Sequence, residues 1–203
     1  MKSKKKINLY LIGGGGHAKS CIEILNRLGN YKIKKIIDPN IKEFKPYYVQ
    51  KKLDDKILKK RNVSFLITIG QIKNFKKRKY YFNYLKKNNF KLETIIADTS
   101  YISKNSSIGE GSIIMHQTFI NYNVVVGNNT IINNRAQLEH DVKVGDHCHI
   151  STGAILNGNV VVGKHTFIGS GCIVFQGVKI GQNCVISAGK IVKKNIKNNE
   201  ILK

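Results

Sequence analysis

From residue 102 to residue 192 an aliphatic side chain returns at every sixth position without a break: Ile102, Ile108, Ile114, Ile120, Val126, Ile132, Leu138, Val144, Ile150, Leu156, Val162, Ile168, Val174, Ile180, Ile186 and Val192. An α-helix repeats every 3.6 residues and a half-buried strand every second residue, so neither period singles out this series. Four residues after each aliphatic comes a mostly small side chain, among them Ser106, Ser112, Thr118, Ala136, Cys148, Ala154, Cys172 and Cys184. Gly109, Gly127, Gly145, Gly163 and Gly181 mark a beat three times longer. Three sixes make one coil. The pattern predicts a parallel β-helix of hexapeptide repeats, each coil a triangle with three short strands as its sides. Large aliphatics point inwards and stack, small residues sit near crowded corners, and the glycines are expected where a corner needs backbone freedom. About five coils at the usual strand spacing of ~4.8 Å make a prism roughly 24 Å tall, enough for a continuous core.

The six-residue beat is lost before Tyr101, which divides the chain into two expected domains, 1–97 and 98–203. In the first, Ile7 to Ile12 reads as a strand running into Gly13-Gly14-Gly15-Gly16-His17. Apolar spacing at Cys21, Ile24, Leu25 and Leu28 predicts a helix ended by Gly29. A second strand, Ile33 to Ile37, stops at Asp38-Pro39. This β-α-β order, with an acid about twenty positions past the glycines, is the layout of a nucleotide-binding unit, whose glycines let phosphates approach helix amides. By itself Gly13-x-Gly15-x-x-Ala18 points to NAD, a weak signal. Further elements are expected as a helix over Leu53 to Lys60, a strand over Phe65 to Ile69 closing at Gly70, a basic amphipathic helix over 71–89 and a strand over Leu92 to Ile96. Some ninety-five residues suit a small Rossmann-like α/β domain with a three- or four-stranded parallel sheet holding one nucleotide.

Charge changes the picture little. The formal net charge is +23, and the lysines crowd the first half in runs such as Lys2 to Lys6 and Lys76 to Lys79. This reads as a solvated basic surface that favours anionic ligands, since no zinc finger, aromatic-interleaved RNA motif or helix-turn-helix pattern accompanies it. No nucleic-acid partner is expected, and no run approaches the eighteen apolar residues of a membrane span. The charged start passes directly into a strand and does not read as a signal peptide, so a cytoplasmic protein is expected. Cys148, Cys172 and Cys184 fall on the small inward position and Cys21 on the apolar side of a helix, which predicts buried thiols. No trio has metal-ligand spacing, so no metal is expected. His116, His147 and His165 are expected on the surface.

The glycine loop with its histidine, the small Rossmann-like domain and the hexapeptide prism carrying Glu139-His140-Asp141 together resemble the sialic acid O-acetyltransferase family. That family includes N-acetyltransferases of UDP-4-amino sugars, of the bacillosamine-pathway type, and of GDP-perosamine. The resemblance covers nearly the whole chain. It implies a left-handed β-helix, a homotrimer with active sites between subunits, and acetyl-CoA as co-substrate. By matched position it implies a catalytic pair, His140 with Asp141, with Glu139 the lesser candidate for the acidic partner. His149 matches the histidine that touches acetyl-CoA, and Gly158, Ser170 and Ala188 fall where backbone amides face the pantetheine arm. Gly15, Gly16, His17, Asp38, Pro39 and Gly70 match the nucleotide-sugar site, and Asn133 an asparagine near the sugar. Pro39 stands where the bacillosamine enzyme has an acid, which leaves the nucleotide open.

Acetyl transfer needs a base for the attacking group and donors for the oxyanion. His140, two places after inward Leu138, should project from the prism and suits the first task. The expected reaction is direct attack of the 4-amine of a nucleotide-activated amino sugar on acetyl-CoA, because no cysteine or serine is placed to carry an acyl group. Two alternatives stay open. One is O-acetylation of sialic acid or a related sugar, and the other is a non-catalytic nucleotide-binding module on a repeat scaffold.

Overall fold

The computed structural model describes residues 6–54, 57, 62–72 and 74–203. They form two compact units, one of Met1–Gly70 with Lys76–Glu93 and one of Gln71–Phe75 with Thr94–Lys203.

In the first unit β1 (Ile7–Ile12) runs into α1 (Gly16–Leu28), and β2 (Tyr31–Ile37), β3 (Val49–Gln50), β4 (Ser64–Ile67), α2 (Lys76–Lys87) and β5 (Lys91–Leu92) follow. The sheet is parallel in the order β3-β2-β1-β4-β5. It has five strands where three or four were expected, because β3 is a two-residue edge strand with too little hydrophobic pattern to be read. The order reverses between β1 and β4, the switch point beside which ligands bind in open α/β sheets. Leu9, Leu11, Ile24, Leu25, Ile36 and Leu66 are fully buried. Gly29 ends α1 in the left-handed conformation, φ 69°, with its amide on the Leu25 carbonyl. Arg78 of α2 is also fully buried, and its Nη1 donates to the carbonyls of Ile67 and Ile69. It thereby satisfies backbone acceptors at the end of β4 that sheet pairing leaves over.

Several element boundaries differ from expectation. β2 begins two residues earlier, β4 ends two residues earlier, and the basic helix occupies only Lys76–Lys87 of the expected 71–89. Its first turn is absent because Gln71–Phe75 packs in the other unit. The strand expected over Leu92 to Ile96 is two strands: Leu92 closes the first sheet in β5, whereas Ile95–Ile96 pairs with Ile113–Ile114 in the second unit. The helix expected over Leu53 to Lys60 falls for the most part outside the described residues.

The second unit is a parallel β-helix of two-residue strands in three sheets of six, five and seven strands. Up to Val192 the strands pair with their equivalents eighteen residues on, as in Ile120 with Leu138 and Val126 with Val144. The second residue of each pair points inwards, and the column from Ile114 and Ile120 up to Ile186 and Val192 is buried. Ile96 already keeps the beat one step before Ile102. Beyond Val192 the coil continues: Ile196 bridges to Ile180, and Ile201–Leu202 pairs with Val185–Ile186. One side is two residues short there, which hides the continuation from a strict count of six.

The corners correct the expectation for glycine. Positive φ recurs every sixth residue from Gly111 to Gly189, yet most of these positions are Gln117, Asn123, Asn129, Arg135, Asp141, His147, Asn159, His165 and Asn183. Asn and Asp tolerate this region best among residues with a side chain. Gly109, Gly127, Gly145 and Gly163 do not adopt it. Instead a Cβ at Gly163 would stand 2.6 Å from the Gln182 amide nitrogen, so the backbone of the next coil occupies the side-chain space. Gly163→Ala should therefore push adjacent coils apart and cost about 1–3 kcal/mol, as overpacked cores do. Urea unfolding checks this, and an unchanged midpoint would contradict it. Beside these glycines Ser112 Oγ, Thr130 Oγ1 and Thr166 Oγ1 each donate to a carbonyl one coil on, that of Gly127, Gly145 and Gly181. Cys148 Sγ and Cys184 Sγ act alike towards Gly163 and Lys197. All four cysteines are buried, and burial pushes the Cys148 thiol up to about 12.

Candidate active site

The corner after Leu138 carries the residues with proton-transfer chemistry. Gln137–Leu138 forms one side of a coil, Lys143–Val144 the next, and residues 139–142 turn between them. Leu138 and Val142 point into the core at 0% exposure, which forces His140 outwards, its side chain 50% exposed. Asp141 takes the positive-φ corner, φ 63°. His140 Nδ1 lies 2.8 Å from Asp141 Oδ2. With its hydrogen on Nδ1 donated to the carboxylate, the ring keeps the Nε2 lone pair for another proton. Asn123, one coil earlier on the same corner, donates Nδ2 to Asp141 Oδ1 at 2.7 Å. That amide first, and the His140 hydrogen bond second, hold the Asp141 carboxyl below the usual carboxylate range.

Glu139 is engaged elsewhere. Asn121 Nδ2 donates to its Oε2 at 2.7 Å, and Gln137 Nε2 donates to its Oε1. Both oxygens serve amides, and Asp141 is the acid that faces His140.

Gly158 lies one coil beyond His140 and is buried. A Cβ there would stand 2.6 Å from both Cε1 and Nε2 of the imidazole, so the ring rests on the bare backbone. Adjacency of Asp141 to His140 was readable in the sequence. The roles of Asn123 and Gly158 beside them were not, although a stride of eighteen from Asp141 and from His140 leads to each.

Other expected residues form separate groups. Asn133 Nδ2 donates to His149 Nε2 at 3.1 Å, and His149 Nδ1 donates to the Gln71 carbonyl. His149 is 6% exposed, on a different side of the prism from His140. Ser170 and Ala188 are exposed and occupy a third place, the corner after Phe167–Ile168, with Ser151 Oγ 2.9 Å from Ser170 Oγ. His147 departs from its expected surface position. It is 7% exposed, bonded to Asn129 and stacked on His165, which in turn stacks on Phe75. Gln71 Nε2 also donates to the His147 carbonyl. Gln71 and Phe75 lie against this face, where His147 is buried and His165 half-buried; His116 is half-buried too, against Thr99.

In the first unit, Asp38 Oδ2 accepts the Gly14 amide at 2.9 Å and Oδ1 the Asn40 amide at 2.8 Å. Asp38 thus fixes the glycine loop to the end of β2. Gly13 and Gly14 are packed against Ile69 and against Ile41 with Ile36, whereas Gly15 and Gly16 face open space at the start of α1. Gly70 lies beside His17, 3.7 Å from its Cβ. The loops after β1 and β4 therefore bring Gly15, Gly16, His17 and Gly70 to the switch point of the sheet, while Pro39 is exposed after β2.

Comparison with known proteins agrees with both units. Residues 8–85 match the PglD N-terminal domain, residues 123–158 the bacterial transferase hexapeptide (six repeats), and residues 159–194 the hexapeptide repeat of succinyl-transferase. Among curated proteins none matches the sequence. The crystal structure of PerB from Caulobacter crescentus, in complex with CoA and GDP-perosamine, is similar at 29% identity and a TM-score of 0.84, over 96% of this chain and 92% of that one. A histidine-to-alanine mutant of GDP-perosamine N-acetyl transferase from the same organism, with the same two ligands, is similar at 27% identity and 0.86, over 96% and 92%. The acetyltransferase domain of PglB from Neisseria gonorrhoeae is similar at 25% identity and 0.84, over 94% and 93%. The prism is accordingly a left-handed β-helix. In the make and order of its two units, the chain joins a PglD-type N-terminal domain to transferase hexapeptide repeats, the architecture of these acetyltransferases.

Proposed function

We propose that the protein transfers the acetyl group of acetyl-CoA to the 4-amino group of a nucleotide-activated amino sugar, with His140 as general base. The observation that carries this reading is the His140–Asp141 contact on an exposed corner, with the Nε2 edge of the ring beside a residue that has no side chain. The amine attacks the thioester carbonyl as His140 takes its proton. The C–S bond then breaks, and the proton passes to the departing thiolate, giving the amide and CoA. Asp141 holds the tautomer and stabilises the imidazolium between these steps. The similarity to a GDP-perosamine N-acetyl transferase solved with CoA and GDP-perosamine supports both substrate classes.

The nucleotide binds the first unit, where Gly15, Gly16, His17 and Gly70 line the switch point, Asp38 fixes the loop and Pro39 borders it. The coenzyme binds the prism, along Gly158, Ser170 and Ala188, with His149 and Asn133 on the adjoining side. His140 and Ser170 belong to different corners of the triangle, roughly 15–20 Å apart along a side of about six residues. One coenzyme touches Gly158, at the His140 corner, and Ser170 together most directly where the Ser170 corner of one prism faces the His140 corner of a neighbour. This favours a homotrimer with sites between subunits, as do the exposed apolar side chains of Tyr101, Phe119 and Ile191 on one sheet of the prism. No helix among the described residues is long and apolar enough to cross a membrane. The need for acetyl-CoA and a nucleotide sugar favours a cytoplasmic enzyme.

An acceptor panel tests the reading. Incubated with acetyl-CoA, UDP-, dTDP- and GDP-4-amino sugars are compared with free and CMP-linked sialic acids, and products are weighed by mass spectrometry. Acetylation of a 4-amino sugar nucleotide is expected, with the sialic acids unchanged. Acetylation of sialic acid alone would replace the proposal by O-acetyl transfer.

A further inference from the structure

We infer that Asn123 is a positioning residue for the His140–Asp141 pair, an uncharged tether that holds the carboxylate in the one orientation that serves the imidazole. This inference rests on the acetyl-transfer reading for its functional meaning but not for its geometry.

Asp141 stands on an outer corner, its side chain 37% exposed. An exposed carboxylate on its own turns among several rotamers and spends its hydrogen-bonding capacity on water. Here its two oxygens are divided between fixed partners. Oδ1 accepts from Asn123 Nδ2 at 2.7 Å, which leaves Oδ2 for His140 Nδ1 at 2.8 Å. Asn123 can reach because it occupies the same corner one coil earlier, with φ 57° against 63° for Asp141, so the two side chains leave the backbone in parallel.

The type of residue is as informative as its place. Lysine could also donate to Asp141, but its charge would compete with the imidazolium for the same carboxylate. Aspartate would keep the shape and the backbone conformation but offer an acceptor where a donor is required. Asparagine combines a neutral donor, a short reach and tolerance of positive φ. The consequence lies at His140. With the carboxylate fixed, the hydrogen on Nδ1 is held, and Nε2, the nitrogen beside Gly158, stays unprotonated. With the carboxylate free to turn, the imidazole loses its preference for that tautomer.

Two variants avoid backbone strain at the corner: Asn123→Gly removes the amide where glycine accepts positive φ, and Asn123→Asp keeps the shape while reversing the hydrogen-bonding sense. The full-length protein is labelled with nitrogen-15 in its histidine rings, and His140 is assigned by its loss in His140→Gln. In the parent the neutral ring should be mainly the Nδ1-protonated tautomer. Both variants should shift the ring to a mixture with the Nε2-protonated form, at unchanged melting temperature, and Asn123→Asp should do so at least as strongly. With acetyl-CoA and GDP-perosamine as the probe pair, kcat/KM should fall about tenfold in each, the size expected when a hydrogen bond that orients a catalytic group is lost. Parent-like ring signals in Asn123→Gly would overturn the inference, whatever the acceptor panel gives. A tautomer shift in a protein that acetylates none of the acceptors would retain the tether and remove the proposed reaction instead.

Discussion

Replacing His140 by alanine is expected to lower kcat for acetyl transfer by about 10²–10⁴-fold, the usual contribution of a positioned general base. The loss should fall on the chemical step. His140 is half exposed and its ring contributes no core packing, so the stability of His140→Ala should stay within about 0.5 kcal/mol of the parent, as for ordinary surface substitutions. Binding of acetyl-CoA, measured by calorimetry, should be nearly unaffected, because the ring acts on the acceptor's proton. Steady-state kinetics with the acceptor found by the panel gives the decisive number. Turnover within about tenfold of the parent would remove His140 as the base, since proton transfer to solvent does not replace a positioned imidazole at so small a cost.

Gly158→Ala is the second large effect, and it reaches the same imidazole from below. The added methyl would sit 2.6 Å from Nε2 and Cε1, about an ångström inside ordinary contact. The side chain is half exposed, so the ring would swing towards solvent and leave the 2.8 Å contact with Asp141. Misplacement of a reacting group by about 1 Å can cost 10²-fold in rate, and a loss of about that size in kcat is expected. The backbone at 158 has no positive φ to strain, and the obstacle is the mobile end of an exposed side chain. Folding should therefore survive, with a melting temperature close to the parent's. This separates Gly158 from Gly163, where the obstacle is the backbone of the next coil and the penalty appears in stability. Parent-like turnover in Gly158→Ala would mean that the ring has a second productive position.

The prism was legible because its core repeats with one fixed period, and stacking demands that every member of the series be apolar. Ile96 escaped because Leu92 to Ile96 also satisfies strand alternation, and only pairing with Ile113–Ile114 assigns it to the prism. The final coil escaped because Ile196 falls four residues after Val192 instead of six. Positive φ at Gln117, Arg135 and His147 leaves no compositional trace, since these residues are ordinary at any surface. Conversely, the glycines at 109, 127, 145 and 163 drew attention for the wrong reason: their conformation is common, and it is the neighbouring coil that leaves no space. Segment 71–75 continued an amphipathic pattern that reads as helix, whereas its partners, His147, His149 and His165, lie some seventy to ninety residues further along. Tertiary contacts over such a separation are not encoded in local periodicity. At the corner after Leu138, adjacency made the contact between His140 and Asp141 readable, but its support one coil to either side required the register.

That register also sets which changes of length the chain can absorb. Neighbours in space are one circuit apart along the polymer, so inserting or excising a complete circuit near either end translates the whole site along the axis and preserves its internal geometry. A single extra residue between Asn123 and Gly158 would instead turn everything beyond it by a fraction of a circuit, taking tether, imidazole and platform out of phase. Duplication by whole circuits is thus the open route by which such a scaffold can grow without losing its chemistry.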